Sequence, residues 1–182
     1  MSALNELLER NQAFAKTYEG NMPVLPNLPI FILTCVDPRV DPAHYLGLEL
    51  GDAYVMRTAG ARVSRDVERA LGVLSAMAQQ ASNGSIGQMS LIIIHHTKCG
   101  MENLVNPEVQ TVLSKKLGVK SSELGSVGIG DHVETIKADI ELLRQSSLVP
   151  NDLIVSGHIY DVDHGNVEEI VPPAPLADIV ID

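Results

Sequence analysis

Short apolar runs alternate with segments of helical periodicity along most of this chain. The clearest apolar runs are IFILT, MSLIIIHH and DLIVSGHIYDV, and a weaker one is DAYVMR. Short continuous runs rich in branched residues are typical of strands that are buried on both faces, as in parallel sheets. Strands that alternate with helices predict an α/β fold, with a mostly parallel central sheet flanked by helices.

The predicted helices are recognised by their apolar spacing and by their ends. In VSRDVERALGVLSAMAQQA, apolar residues recur at helical spacing, Ser64 is the predicted N-cap, and Gly84 follows the end. Residues 131–145 have a similar helical pattern. An amphipathic helix is also predicted over Ser2 to Tyr18, and the proline-rich segment NMPVLPNLP ends it.

The chain divides into an N-terminal arm and one domain, and the last segment of that domain follows its final predicted strand. Residues 1–29 form a predicted helical arm, and residues 30–182 form a single predicted α/β domain. The last segment, PPAPLADIVID, follows the final predicted strand, and its proline content predicts an extended path over a surface. A chain of 182 residues, of which 45% are hydrophobic, has enough material for one domain with a substantial core.

Charge and apolar content narrow the class of protein. The formal net charge is −10, and no cluster of Lys and Arg relieves it locally, so nucleic acids and anionic membranes are unsuitable partners. The N-terminus has no apolar core of the signal-peptide type, and no run reaches the roughly 20 apolar residues of a membrane span. We therefore expect a cytoplasmic protein with reduced thiols and a small-molecule substrate.

The two cysteines, Cys35 and Cys99, stand where apolar runs give way to polar residues. Cys35 follows the first predicted strand, and His96 and Cys99 follow the strongest one. All three are expected at the carboxyl ends of parallel strands, where open α/β sheets bind ligands. A single cysteine is more often an inert buried residue, but two thiolates with an imidazole suit zinc. Gly100 is expected to allow a tight turn beside this site.

The number of ligands separates two kinds of zinc site. Cys35, His96 and Cys99 would leave one coordination position for water, as in catalytic zinc sites. His95 is the candidate for a fourth ligand, which would close the site and indicate a non-catalytic zinc or redox protein. Its position in the strand should point it away from His96, because successive side chains of a strand alternate.

Asp37 and Arg39 follow Cys35 by two and four residues. A guanidinium can hold a carboxylate in a bidentate pair, which would keep Asp37 as a hydrogen-bond acceptor beside the metal. The alternative is a solvated ion pair in a loop, which contributes little to the stability of the protein. The proximity of the pair to Cys35 favours a catalytic role.

The elements CVDPR and HTKCG resemble the two signature motifs of the β-class carbonic anhydrases. RTAG resembles the family's Arg-Asn-Ala-Gly, and GHIYDVDHGNVEEI resembles its final strand and hairpin. The resemblance implies four parallel strands extended by an antiparallel edge strand, and a homodimer or tetramer in which the N-terminal helix reaches across to the partner. It also implies one Zn²⁺ per chain held by Cys35, His96 and Cys99, with Asp37 and Arg39 as the catalytic pair.

The resemblance also sets the expected activity, in which a zinc-bound hydroxide hydrates carbon dioxide to bicarbonate. Gly60 and Gly100 are expected to border the substrate. Hydrolysis of carbonyl sulfide or carbon disulfide is the alternative, because relatives of the family use the same zinc site in that way. Three positions depart from the commoner motifs and leave the substrate open: Pro38, Thr58 and Lys98. The histidines outside the motifs are assigned to packing or surface solvation: His44, His132, His158 and His164.

Overall fold

The computed structural model describes residues 2–181 as an alternation of strands and helices. In chain order these are α1 (Ala3–Ala15), β1 (Ile30–Cys35), α2 (Pro42–Tyr45), β2 (Tyr54–Thr58), α3 (Arg65–Ala81), β3 (Ser90–His96), α4 (Pro107–Leu117), α5 (Ser121–Gly125), α6 (His132–Gln145), β4 (Ile154–Tyr160) and β5 (Val167–Pro175). Two 3₁₀ helices, Ala59–Ala61 and Gly100–Val105, follow β2 and β3. None of the helices among residues 2–181 has the length and apolar character of a membrane span.

The strands form one mixed sheet in the order β2-β1-β3-β4-β5. The pairs β1–β2, β1–β3 and β3–β4 are parallel, and the pair β4–β5 is antiparallel. The predicted parallel core with an antiparallel edge strand is therefore confirmed. Thr34 of β1 is paired with Ile94 of β3, and Cys35 is paired with Thr58 of β2. Because these strands are parallel, the loops that follow them meet at one edge of the sheet.

Helices α3 and α6 cover the sheet with an apolar core. Ser64 Oγ caps α3 as predicted, accepting a hydrogen bond from Val67 N–H at 3.4 Å. The core residues of both helices are spaced three or four positions apart, so one side of each helix faces inward. Gly157 of β4 lets α6 lie close to the sheet, since a Cβ there would come within 2.4 Å of Ile136 Cγ2. The core includes Leu71, Ile136, Ile140 and Leu143 from the helices, and Phe31, Leu33, Leu91, Ile93 and Val155 from the strands.

The apolar pattern does not predict α4 and α5. No residue of α4 is buried, so its apolar spacing carries little information. Its ends are nevertheless marked in the sequence. Asn106 caps the helix by accepting from Glu108 N–H at 2.9 Å, Pro107 occupies the first turn, and Gly118 ends it with a φ of 71°. These start and stop signals predict the helix better than its periodicity does.

The two terminal segments pack in opposite ways. Helix α1 forms as predicted, with Ser2 Oγ accepting from Asn5 N–H at 3.3 Å, but none of its residues is buried against the described chain. The expectation for PPAPLADIVID needs correction, because β5 continues to Pro175 and its prolines belong to the antiparallel edge strand. Edge strands tolerate proline, since their outer N–H groups are unpaired. Leu176 and Ile179 are then buried and do not run over a surface.

Candidate metal centre

The ends of β1 and β3 bring Cys35, His96 and Cys99 together. Their candidate ligand atoms lie within 4.8 Å of one another, and all three residues are buried. Among residues 2–181 this is the one group of three or more histidine, cysteine or acidic residues arranged to hold a metal ion. Cys35 is the last residue of β1 and His96 the last of β3, and Cys99 lies three residues further on.

The ring of His96 leaves one nitrogen available to a metal ion. Nδ1 lies 3.0 Å from the carbonyl oxygen of Thr97, so it carries the proton and donates to that oxygen. Nε2 is buried and has no hydrogen-bond partner among the described residues. A buried nitrogen acceptor without a partner is unfavourable, and a bound metal ion would satisfy it.

The two sulfur atoms are spaced as a zinc site requires. Cys35 Sγ and Cys99 Sγ lie 3.9 Å apart, and both cysteines are free. Zinc–sulfur bonds of about 2.3 Å at tetrahedral angles place two sulfurs about 3.8 Å apart, so this donor set fits zinc. The pKa of Cys35 is lowered, because the side chain of Cys99 donates a hydrogen bond to its thiolate. The pKa of Cys99 is raised, because the same hydrogen bond retains its proton.

The loop after β2 closes over Cys35. Gly60 N–H donates to Cys35 Sγ at 3.3 Å, and the φ of Gly60 is +72°, in the left-handed region. A Cβ at this position would lie 3.0 Å from Ile129 Cδ1 and 3.1 Å from Met101 Cγ. Glycine is therefore favoured here both by the backbone conformation and by the close approach of the Ile129 and Met101 side chains.

Asp37 and Arg39 form a bidentate pair. Arg39 Nε donates to Asp37 Oδ1 at 2.9 Å, and Nη2 donates to Oδ2 at 2.7 Å. The backbone N–H of Arg39 also donates to Oδ1 at 2.9 Å, and Nη2 reaches the carbonyl oxygen of Lys98 at 2.9 Å. The hydrogen bonds from the Arg39 side chain are the main reason why the pKa of Asp37 lies well below its usual range. Asp37 is therefore an ionised acceptor near neutral pH.

The turn between His96 and Cys99 is made by Lys98 and not by Gly100. Lys98 has a φ of 57°, whereas the φ of Gly100 is not positive, which corrects the expectation that the glycine makes the turn. Apart from its chain neighbours, no atom would lie within 4 Å of a Cβ at Gly100. Lys98 Nζ lies 2.5 Å from Asp163 Oδ2, and both side chains are more than half exposed. The loop from His96 to Cys99 is called the ligand loop below. Its strained residue, Lys98, thus has its side chain at the surface.

His95 lies outside the cluster and contacts α6. Its Nδ1 is 3.2 Å from Nδ1 of His132, and burial lowers the pKa of His95 to about 3, so its ring is neutral. His132 Nε2 lies 3.1 Å from Glu102 Oε1, and the same oxygen accepts from Cys99 N–H at 2.8 Å. Sequence reasoning assigned His132 to packing or solvation and did not single out Glu102. The one sequence signal for Glu102 is its position three residues after Cys99, the spacing of a capping box.

A small cavity of about 110 Å³ opens beside two of the three candidate ligands, Cys35 and Cys99. Besides Cys35 and Cys99, it is lined by Val36, Asp37, Ala59, Gly60, Gly100 and Met101. Most of these groups are apolar or backbone, and the carboxylate of Asp37 is the charged one. A larger cavity of about 510 Å³ lies between α3 and the loop that joins α6 to β4, away from the metal ligands. The small cavity suits an uncharged molecule of a few atoms.

Comparison with known proteins assigns the family. The family described as "Carbonic anhydrase" matches residues 30–127, more than half of the chain. The chain belongs to the β-carbonic anhydrase family. A carbonic anhydrase of known crystal structure from Streptococcus mutans is 36% identical, with a TM-score of 0.79, and the match covers 93% of this chain and 98% of that one.

The curated relatives of this β-carbonic anhydrase family member include carbonic anhydrases and carbon disulfide hydrolases. Beta-carbonic anhydrase 1 of Mycobacterium tuberculosis is 27% identical, over 94% of this chain and 100% of the relative. Carbon disulfide hydrolase of Acidianus sp. is 26% identical, over 75% of this chain and 74% of the relative. The protein is therefore an enzyme of the kind that these relatives represent, with a possible Cys-His-Cys metal site.

Proposed function

We propose that this enzyme binds zinc and hydrates carbon dioxide reversibly to bicarbonate. The observation that carries the proposal is the buried, unpartnered Nε2 of His96 beside two free thiols 3.9 Å apart. Cys35, His96 and Cys99 would hold one zinc ion per chain and leave a fourth position for water. His95 lies outside the group of candidate ligand atoms, which argues against it as a fourth ligand and therefore against a closed, non-catalytic site.

The chain's own residues would orient the reactants. Zinc, when bound, supplies Lewis-acid chemistry that activates water toward an electrophilic carbon. Asp37 is ionised and accepts a hydrogen bond from the attacking water, which aims the oxygen lone pair at the substrate. Arg39 keeps Asp37 in this orientation through the bidentate pair, and its contact with Lys98 O ties the pair to the ligand loop. Gly60 and Gly100 border the cavity where the substrate would lie.

Two substrate classes fit the same site. A largely apolar cavity of about 110 Å³ accommodates a small linear molecule such as carbon dioxide, carbonyl sulfide or carbon disulfide. Carbon dioxide is our first choice because the Streptococcus mutans carbonic anhydrase is 36% identical over nearly its whole length. Hydrolysis of carbonyl sulfide or carbon disulfide is the second choice, supported by the similarity to a carbon disulfide hydrolase.

A comparison of substrates on one preparation tests the proposal. The zinc content is determined by mass spectrometry, and kcat/KM is then measured for carbon dioxide and for carbonyl sulfide. We expect one zinc per chain, a preference for carbon dioxide, and loss of activity when a chelator removes the metal. A kcat/KM that is several orders of magnitude higher for carbonyl sulfide would overturn the assignment of carbon dioxide as the substrate, but not the assignment of the metal site. Full activity of the metal-free protein would overturn the zinc proposal.

We also propose that the enzyme works as a homodimer or tetramer in the cytoplasm. In this view residues 1–29 are the arm that reaches a partner, and residues 30–182 are the catalytic domain. The exposed apolar side chains of α1 support this view: Leu4, Leu7, Leu8 and Phe14. The two free thiols support a reducing compartment. Light scattering at micromolar concentration should detect no monomer, and Leu8→Glu should weaken assembly. A fully active wild-type monomer would refute the assembly.

A further inference from the structure

We propose that His132 and Glu102 are positioning residues that fix the spacing between the ligands His96 and Cys99. The proposal rests on the zinc site proposed above and concerns how firmly that site holds its ion. Neither residue lines the small cavity beside the ligands. Their contacts reach the ligand loop from both of its ends, so their effect would be on the metal and not on the substrate.

Glu102 holds Cys99 through the backbone. It is the third residue of the 3₁₀ helix Gly100–Val105, and its Oε1 accepts from Cys99 N–H at 2.8 Å. The backbone N–H of Glu102 donates in return to the side chain of Cys99. This reciprocal pair is a capping box, and it restricts the backbone of the residue that it caps. The direction in which Cys99 Sγ projects is restricted with it.

His132 connects this cap to the other ligand. A carboxylate only accepts hydrogen bonds, so His132 Nε2 donates to Glu102 Oε1 across 3.1 Å. In the neutral ring, Nδ1 then accepts from His95 Nδ1–H at 3.2 Å. His95 directly precedes His96 in β3. One imidazole therefore joins the two ends of the loop that runs from His96 to Cys99, and it cannot rotate without losing a contact.

The ligand loop needs support from outside because its own backbone is strained. Lys98 has a φ of 57°, which costs a residue with a Cβ about 1 kcal/mol. A second contact supports the same segment, since Ile129 N–H donates to Met101 O at 3.2 Å. Groups that orient metal ligands in this way typically change metal affinity by about 10–100-fold when they are removed.

The proposed role can be separated from folding. Asp131 Oδ1 caps α6 by accepting from Glu134 N–H at 3.0 Å, so the helix keeps its cap when the imidazole of His132 is removed. Glu123 provides a matched control, because its carboxylate accepts from the backbone N–H of Lys120, three residues earlier, as the carboxylate of Glu102 accepts from Cys99. Its Oε1 lies 3.4 Å from Lys120 N, and its hydrogen bonds within the described chain do not reach a candidate ligand.

The test measures zinc release from the loaded, full-length protein. Wild type, Glu102→Ala, His132→Ala and Glu123→Ala are each loaded with one zinc, and transfer to a chromophoric chelator is followed at a series of concentrations. We expect zinc affinity to fall by about 10–100-fold in Glu102→Ala and His132→Ala, and to stay within about twofold in Glu123→Ala. Glu102 and His132 act in one series of contacts. The zinc affinity of the double variant should therefore be little lower than that of Glu102→Ala alone.

A second measurement separates positioning from a general loss of stability. The visible spectrum of the Co²⁺-loaded protein reports ligand geometry, and it should change in Glu102→Ala and His132→Ala but not in Glu123→Ala. Where an alanine variant does not fold, Glu102→Gln and His132→Gln are compared in the same way. Wild-type affinity and spectrum in the variants at both positions would overturn the positioning role and leave the zinc site standing. An equal loss of affinity in Glu123→Ala would also overturn it. A wild type that binds no zinc would refute the proposed function as well.

Discussion

The last residue of β1 and the loop after β3 each contribute a cysteine to the candidate metal centre, but the loops after the two strands are held in different ways. The loop after β1 is held by the Asp37–Arg39 ion pair, in which the Arg39 side chain is 49% exposed. The loop after β3 is held by the mostly buried ring of His132, which belongs to α6. The first arrangement presents an ionised carboxylate at the cavity, and the second, in our proposal, fixes two of the candidate ligands. Changes in the first loop should therefore affect turnover, and changes in the second should affect metal retention.

The two loops also contact each other. Arg39 Nη2 donates to Lys98 O at 2.9 Å, so the ion pair of one loop depends on the strained turn of the other. The sulfurs of Cys35 and Cys99 lie at the same junction, 3.9 Å apart. Substitutions within each loop can test how far their roles are separate.

Removal of a ligand should have the largest effect. Cys99→Ala deletes one of the two thiolates, and we expect most of the zinc to be lost and kcat/KM to fall by at least about 1000-fold, or about 4 kcal/mol of transition-state stabilisation. Mass spectrometry of the intact protein and stopped-flow assays would measure both quantities. A variant with full zinc occupancy and full activity would exclude Cys99 as a ligand.

Arg39→Ala should separate turnover from metal content. Without the guanidinium, Asp37 is free to turn toward the metal, so we expect zinc to be retained and kcat to fall by about 100–1000-fold. Arg39→Lys should restore little, because an ammonium cannot reproduce the planar fork. Arg69→Ala is the control, since Arg69 forms a single-contact ion pair with Asp66 at 2.9 Å on the exposed side of α3.

Three results of this comparison would each be informative. Near-normal turnover in Arg39→Ala would show that the pair is an ordinary surface ion pair of little worth. Loss of zinc in that variant would show that Arg39 supports the ligands themselves. Loss of activity in Arg69→Ala as well would indicate a general effect of surface charge.

The sequence predicts the sheet and the three candidate ligands because local patterns carry that information. Continuous apolar runs mark β1, β3 and β4. Donor types where two of these runs end predict that Cys35, His96 and Cys99 meet at one edge. The same reasoning applies to Asp37 and Arg39, whose spacing within one loop allows a bidentate pair. Strand ends and short spacings are local properties of the chain.

The parts that the sequence does not predict depend on contacts between distant segments. Glu102 and His132 are 30 residues apart, and no spacing rule relates a residue of a 3₁₀ helix to the first residue of α6. The turn at Lys98 was missed for another reason. A glycine two residues away is better suited to a tight turn by residue type, yet the left-handed conformation falls on the lysine.

Paired substitutions at Lys98 should reveal this backbone strain. Lys98→Ala and Lys98→Gly both remove the contact with Asp163, but only glycine adopts a φ of 57° without steric cost. We expect the glycine variant to be about 1 kcal/mol more stable toward unfolding than the alanine variant. Urea denaturation of both zinc-loaded variants measures the difference. Equal stability would mean that the loop relaxes when the lysine is replaced.

Removal of the exposed ion pair between Lys98 and Asp163, in the loop after β3, should have the smallest effect. Lys98 Nζ and Asp163 Oδ2 lie 2.5 Å apart, but the side chains are 63% and 51% exposed, so solvent and salt screen the pair. Asp163→Asn keeps the shape and removes the charge, and we expect a loss of less than about 1 kcal/mol in unfolding free energy, with zinc affinity unchanged. Any loss should disappear in 1 M salt, where the Debye length is about 3 Å. Urea unfolding at low and high salt, together with chelator competition, measures these quantities. A fall in zinc affinity like that expected for Glu102→Ala would show that surface contacts also hold the ligands, and the contrast between the exposed and the buried supports would then be wrong.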